Sequence, residues 1–478
     1  MHNSRKFDSS VPPVWFPEKT GSVPNLSSAF KILRIGNNQE EEATNTLVQL
    51  KKKAIFRFYV SNLKKYSFVH GVVIWLWRNT HSIYVNISIN LKKRKIRWQP
   101  LLKLGDYTKL RGLTTIQLVD AVAVETPTPK VLPESDQGYV EAGHGHYNAP
   151  AIYVTTISDG IIYGGSNLIL TKDGVICHDL YDFERDYTSE ELHGRMLIDP
   201  KSGCIRWLLS DKVPELLPVA AAFVDACATN YAHWLTEVLP RIAVFCAEER
   251  FNGIPIVVND GLHKNIMESL FLVVGSAHKI ITLTNNKALA IDQLYSTSVS
   301  GYVPFEKRTT KFSDHSHGVF NPQAFELIRH QIAAFLEKLP EQAWPEKVYL
   351  RRNSEVRKIT NAAELEELLV ARGYVIVEPE RLTFLQQAKL FSDAKIIVGA
   401  TGATFANIML TLSDPKIFIL ISKLPDHKYR YWQNIACACG KEINYIFGKV
   451  THRRTRGIHG DFMVNLGDIS QFIDESEK

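Results

Sequence analysis

Much of what this sequence can be is limited by what it lacks. Its six cysteines, Cys177, Cys204, Cys227, Cys246, Cys437 and Cys439, are too few and scattered for a disulfide framework in 478 residues. Long apolar runs are missing too. The longest, Phe68 to Trp77, is broken by His70 and Gly71, and its ten residues fall well short of the about twenty that a membrane-spanning helix needs. The polar, proline-bearing stretch from Met1 to Ser28 has no apolar signal core. The expected compartment is therefore a reducing cytoplasm.

Cofactor and metal signatures are scarce as well. No G-x-G-x-x-G or P-loop is present, and no D-x-D stands at a strand end. Asp182-x-Glu184 comes nearest, in a segment that reads as a loop, and Asp314-His315-Ser-His317 beside Gly318 reads as an exposed loop. Cys437-x-Cys439 with His452 matches no standard zinc spacing, and a helix of small residues from Ile435 to Cys439 explains it more simply. Neither a metal nor a resident cofactor is expected.

Acids are nearly absent between Lys51 and Arg111, where fifteen Lys and Arg face Asp106 alone, a net +14 in a chain whose total is +6. Phe56, Tyr59, Trp75, Trp77 and Trp98 interleave with these cations. Such a mixture suits an anionic membrane surface, where each nearby Lys or Arg contributes about 1 kcal/mol, and it equally suits a solvated basic face. Nucleic acid is not the expected partner.

What is present is a globular composition, 45% apolar and 22% charged, at a length that fits two or three domains. Within the basic region, Ile83, Val85, Ile87 and Ile89 alternate as in a strand. Thr126 to Asn148, rich in proline and glycine, reads as a linker or long loop. Strands and helices then alternate: Val219–Val224, helix His233–Glu249, Ile254–Val258, helix His263–Val274, Lys279–Leu283, and a long amphipathic helix Pro322–Leu339. The next unit is the most regular. Its strands are Lys347–Leu350, Tyr374–Val377, Lys395–Val398 and Lys416–Ile421, and the capping boxes Asn361/Glu364 and Thr383/Gln386 open its helices. Single helices between strands imply a parallel, Rossmann-like sheet.

Three constellations could do chemistry. The turn Gly399 to Asn407 follows a strand, so its backbone N–H groups and the Thr401 and Thr404 hydroxyls can hold a diphosphate. Equally, its glycines can serve tight packing. Arg351, Arg352 and Arg357 lie just past another strand, placed either to neutralise a diphosphate or to sit in a solvated loop. In Asn230-Tyr-Ala-His-Trp-Leu-Thr-Glu-Val-Leu-Pro-Arg241, the residues His233, Glu237 and Arg241 share a helix face. They can form a general base with its orienting acid, or a structural polar stripe.

Together these pieces resemble glycosyltransferase family 61, in its bacterial capsular-polysaccharide branch. The family's N-Y-x-H-W-L-x-[DE]-V-L-P-R is matched at Asn230 to Arg241, and its R-x(4)-R-x(3)-N by Arg352, Arg357 and Asn361. Its P-E-x-L-[ST]-F-x-x-Q is matched at Pro379 to Gln387, including Glu380, and its G-x-H-G-A-x-[LF]-x-N turn at Gly399 to Asn407. Two positions depart: Thr401 replaces the family's histidine, and Ala362 stands where an acid often follows Asn361. Tyr431 to Tyr445 is similar to the family's closing segment.

The resemblance implies an α/β, GT-B-like fold of two facing Rossmann-like domains plus the basic N-terminal extension. The boundaries are 1–130 for the extension, partly disordered, 131–340 for the acceptor domain and 341–478 for the nucleotide-sugar domain. It implies an inverting hexosyl- or pentosyltransferase that moves a sugar from a nucleotide-sugar donor to a glycan or lipid-linked acceptor in cell-surface polysaccharide synthesis. Such an enzyme would work at the inner face of the cytoplasmic membrane. His233 and Glu237 become the base candidates, and Arg352, Arg357, Thr401, Gly402 and Asn407 the donor-site candidates, with Arg241 and Glu380 in support. A catalytically silent glycan-binding or scaffolding homologue is the competing expectation.

Overall fold

The structure, a computed structural model, describes residues 98–140, 145–181, 196–199, 202–207, 214–303, 318–340, 342–354, 356–424, 429–451 and 460–476. It also describes short pieces at 14–15, 17, 32–35, 69, 72 and 76. Most of the basic segment, its expected strand at Ile83–Ile89, Asp182–Glu184, Asp314–His317 and His452 lie outside the described residues.

Two sheets organise the rest. The larger has a parallel centre in which Ile280–Leu283, Ile256–Asn259, Glu215–Ala222 and Ala288–Thr297 lie side by side. Numbered along the chain their order is 3-2-1-4. Ile256–Asn259 and Ile280–Leu283 are buried at every residue, as expected of parallel strands covered on both faces. The long strand Ala288–Thr297 was not visible in the sequence pattern. Its other edge pairs antiparallel with Ile152–Tyr163, from which the sheet runs on to Trp98–Lys103. Residues inside the segment read as an extension therefore also build this sheet, and Ile32–Ile35 adds to its far edge beside Ile280–Leu283.

The second sheet is parallel in the order Val375–Val377, Lys347–Leu350, Ile396–Ala400, Lys416–Ser422 and Ile443–Val450, or 2-1-3-4-5 along the chain. Lys130–Leu132 joins it alongside Ile443–Val450, and Gly145–Ala149 pairs with Val122–Thr126. The stretch read as a linker is thus built into the fold.

The caps show how far local reading reaches. Thr383 and Gln386 form the expected capping box on helix Phe384–Asp393. Helix Ala362–Ala371 has no side-chain cap. Asn361 turns away from it and clamps the backbone of Val464, donating to its carbonyl at 2.9 Å and accepting from its N–H at 3.1 Å. Gly373 follows that helix at φ +80°, the left-handed conformation that glycine adopts at least cost.

Between the sheets lie helices Leu239–Cys246, Lys264–Val274, Pro322–Leu336 and Phe384–Asp393. Leu239, Ile242, Leu270, Ile328, Phe384, Phe405 and Leu410 belong to a single apolar cluster that joins both sheets' helices. Polar contacts stitch the same layer: Asn265 donates to the Leu382 carbonyl at 2.9 Å, and the Glu268 carboxylate accepts from Phe384 N–H at 2.9 Å. Among the described residues no helix is long and apolar enough to cross a membrane.

Candidate active site

In open parallel sheets, ligands bind beyond the carboxyl ends of the strands, where the strand order reverses. Here that happens twice: between Glu215–Ala222 and Ala288–Thr297, and between Lys347–Leu350 and Ile396–Ala400. The sequence candidates fall at these two points.

At the first, Asn230 caps a helix by accepting from Ala232 N–H at 3.0 Å. The helix starts as Tyr231–His233, widens into a π turn over Trp234–Val238 and resumes as Leu239–Cys246. Pro240 explains the widening. It has no N–H for the Thr236 carbonyl and its ring would crowd that carbonyl, so Leu239 N–H reaches back to Trp234 instead. Arg241 Nε then donates to the Glu237 carbonyl at 3.1 Å. Such π turns recur at functional sites.

The widened turn carries the expected group. His233 Nδ1 is paired with Glu237 Oε1, and Glu237 Oε2 accepts from Val303 N–H at 3.3 Å. Arg241 binds the Asp225 carboxylate at 3.2 Å and reaches Glu237 only through its backbone. Burial acts to lower the His233 pKa, but attraction and hydrogen bonding from Glu237, aided by Asp225, overcome it and leave the value raised.

At the second point the three arginines part company. Arg351 is committed within the fold: it binds both oxygens of Glu366, at 2.8 and 2.5 Å, and Glu378 at 3.3 Å. Arg352 and Arg357 have no carboxylate in salt-bridge contact among the described residues. Arg352 Nε donates to the Val356 carbonyl at 3.2 Å, while Arg357 Nε is buried without a partner among the described residues and its backbone sits at φ +59°. Burial and the Arg352 charge push the Arg357 guanidinium down to about 10. Burial also lowers Arg352, opposed by Glu380, an exposed carboxylate that accepts from Asn353 at 2.5 Å. Two half-buried cations side by side favour an anion between or beside them.

The glycine turn lies against this pair. Gly402 has no room for a Cβ because Arg352 occupies that space, and Gly399 packs on Leu350. Thr401 is buried, its N–H spent on the Leu420 carbonyl and its hydroxyl accepting from Trp432 Nε1 at 2.9 Å. Asn407, expected to touch a donor, is instead wholly buried. Its amide accepts from the Tyr231 hydroxyl at 2.7 Å and donates to Gln387 at 2.8 Å, so it ties the turn to the His233 helix.

Tyr431 connects the two points and was given no role from sequence. Burial together with the Glu237 charge raises its pKa, while Thr236 and Arg357 oppose the rise. Its hydroxyl thus feels both the His–Glu pair and the arginine pair. The only sequence signal was its place in the closing segment.

Residues 231–419 match the family model described as Glycosyltransferase 61. The match begins on the first residue of the broken helix and spans both points, which supports glycosyltransferase family 61 and, with it, glycosyltransferase activity. No curated protein matches the chain. Among the described residues, no three His, Cys, Asp or Glu side chains are grouped as a metal site. Cys437 and Cys439 are free thiols whose pKa values burial pushes up to about 11 and about 12.

Proposed function

We propose that this chain is an inverting glycosyltransferase of GT-B type. In this reading 131–340 centres the acceptor domain, joined by Ile32–Ile35 and Trp98–Lys103, and 341–478 the nucleotide-sugar domain, joined by Lys130–Leu132. The observation that carries it is the pair Arg352 and Arg357, half-buried and without a carboxylate in contact among the described residues, at a strand-order reversal. That is where a nucleoside diphosphate belongs.

The acceptor hydroxyl attacks C1 of the donor sugar as its proton passes to the His233 imidazole, held by Glu237. The C1–O bond to the diphosphate breaks, and its electron pair leaves with the nucleotide. Arg352 and Arg357 meet the charge that develops there, which is usually the largest catalytic term. No metal is needed for that step when two guanidiniums flank the leaving group. The sugar is a hexose or pentose, and the product a cell-surface polysaccharide such as a capsule. The basic aromatic segment 51–111 would bring the enzyme to an anionic cytoplasmic membrane face.

A thermal-shift screen of UDP-, GDP-, CMP- and TDP-sugars tests the donor half of this reading. Stabilisation by one nucleotide class, lost in Arg352→Ala, is the expected result; no stabilisation by any of them overturns it. The competing reading, a silent glycan-binding homologue, draws on Thr401, which offers no charge where the resembling family has histidine. Donor binding without turnover would favour it. Liposome binding that survives high salt would contradict the electrostatic account of 51–111.

A further inference from the structure

A pocket opens at the reversal point of the larger sheet, lined in part by Glu237. Its walls include Asn167, His178, Asp225, Glu237, Arg241 and Tyr302. These come from four separate chain segments, brought together by the sheet. The His178 and Tyr302 rings lie 4.4 Å apart, centroid to centroid, and tilted by 53°, so they make a compact aromatic wall.

Asn167 Oδ1 is buried there without a hydrogen-bond partner among the described residues. A buried carbonyl oxygen left without a donor is costly, and a ligand hydroxyl would satisfy it. In the same lining, the Asp225 carboxylate is held in place by Cys227 N–H at 2.9 Å and by Arg241 at 3.2 Å.

The charge balance separates this pocket from the arginine pair. Asp225 and Glu237 stand against Arg241, beside a His233 that is neutral when it acts as the base, so no surplus of positive charge remains for a phosphate. Hydroxyl groups and an aromatic wall suit a neutral sugar. Size narrows the choice further. The cavity volume is about 40 Å³, against roughly 10–15 Å³ for one water. About three or four hydroxyl-sized groups fit, which is one edge of a ring and not a whole ring.

We propose that this pocket grips one hydroxyl-bearing edge of a neutral acceptor sugar. Asn167 and Asp225 bind its hydroxyls, and His178 and Tyr302 line its apolar face. The acceptor hydroxyl to be glycosylated is then presented beside the His233–Glu237 pair. The inference rests on the glycosyltransferase reading and adds a chemical class to the acceptor: an uncharged saccharide terminus, recognised as such and not through a lipid phosphate.

The test uses the full chain and two independent probes. Saturation-transfer NMR is run with a panel of neutral methyl glycosides (hexosides, pentosides and N-acetylhexosaminides) and, separately, with UDP and GDP. At least one neutral glycoside is expected to show transfer in the wild type, reduced about tenfold or more in Asn167→Leu and in the milder Asn167→Ala. Nucleotide signals should persist in both variants, which also reports that they are folded. A glycoside signal untouched by either substitution overturns the pocket assignment and leaves the donor reading standing. No signal from any neutral glycoside, or signals from sugar phosphates alone, overturns it as well. Failure of the donor reading shows separately, as absent nucleotide signals in the wild type.

Discussion

The Arg352 guanidinium lies against Gly402 and fills the space where a Cβ would stand. The glycine at the end of one strand therefore decides where an arginine at the end of its neighbour can sit. Gly402 has an extended backbone at φ 177°, which any residue adopts, so an alanine there meets a clash and no backbone strain. Gly402→Ala is expected to fold and to displace Arg352, weakening nucleoside diphosphate binding about tenfold, or ~1.4 kcal/mol. Calorimetric titration with UDP and GDP measures this, and an unchanged affinity would separate Arg352 from the donor site.

Arg357 carries the opposite trade. Its charge is held down by burial and by Arg352, with no carboxylate in contact among the described residues. Replacing it by an apolar side chain of similar length removes that cost. Arg357→Met is expected to raise the stability of the nucleotide-free protein by about 1–2 kcal/mol and to abolish donor binding. Differential scanning calorimetry reads the first effect and the UDP or GDP titration the second. A lower melting temperature would mean that the guanidinium is compensated in the fold.

The His233 pKa is raised because Glu237 and Asp225 outweigh burial. As a base His233 must be neutral, so kcat/KM should rise with pH through a pKa above the usual 6.5. Glu237→Gln removes the main support for the imidazolium, so the same limb should move to lower pH. The stability linkage has the matching sign. The His233–Glu237 pair contributes fully below the unfolded histidine pKa, and the contribution is lost as pH rises through the raised folded value. Urea unfolding between pH 5 and 8 should show this decline in the wild type and a weaker one in the variant. A pH–rate profile unmoved by Glu237→Gln would assign that limb to another group.

Asn407 is the test of a structural role. With no exposure and both ends of its amide engaged, Asn407→Ala leaves Tyr231 and Gln387 each short of a partner. A loss of about 2–4 kcal/mol is expected from two such buried groups, read from denaturant unfolding. A loss below ~0.5 kcal/mol, with donor binding gone, would restore Asn407 as a ligand-contacting residue.

How far these features were legible in the sequence follows their range. The Thr383–Gln386 cap lies within one helical turn and depends on nothing remote, so it could be read directly. The parallel strands Ile256–Asn259 and Ile396–Ala400 announced themselves as apolar runs between helices, because covered strands need apolar residues on both faces. His233 and Glu237 were paired by helical spacing, and the π turn preserved that pairing. The turn itself follows from Pro240, a signal present in the sequence but not decisive without the fold.

The remainder turned on partners far away along the chain. Asn361 looks like a cap, yet Val464 competes for both ends of its amide and wins. Arg351 and Arg352 are neighbours of one residue type. Glu366 and Glu378 claim the first, and the second is left to the Gly402 turn. Chain order and side-chain chemistry alone determined the alternation of strands and helices, the local caps and the identity of the candidate groups. Only the tertiary structure decided which arginines have no carboxylate in contact among the described residues, that Asn407 is buried, and that Tyr431 stands between acid and cation. The charge and hydrogen-bonding state of a side chain is set by what is packed against it, and those neighbours come from strands and turns distant in sequence.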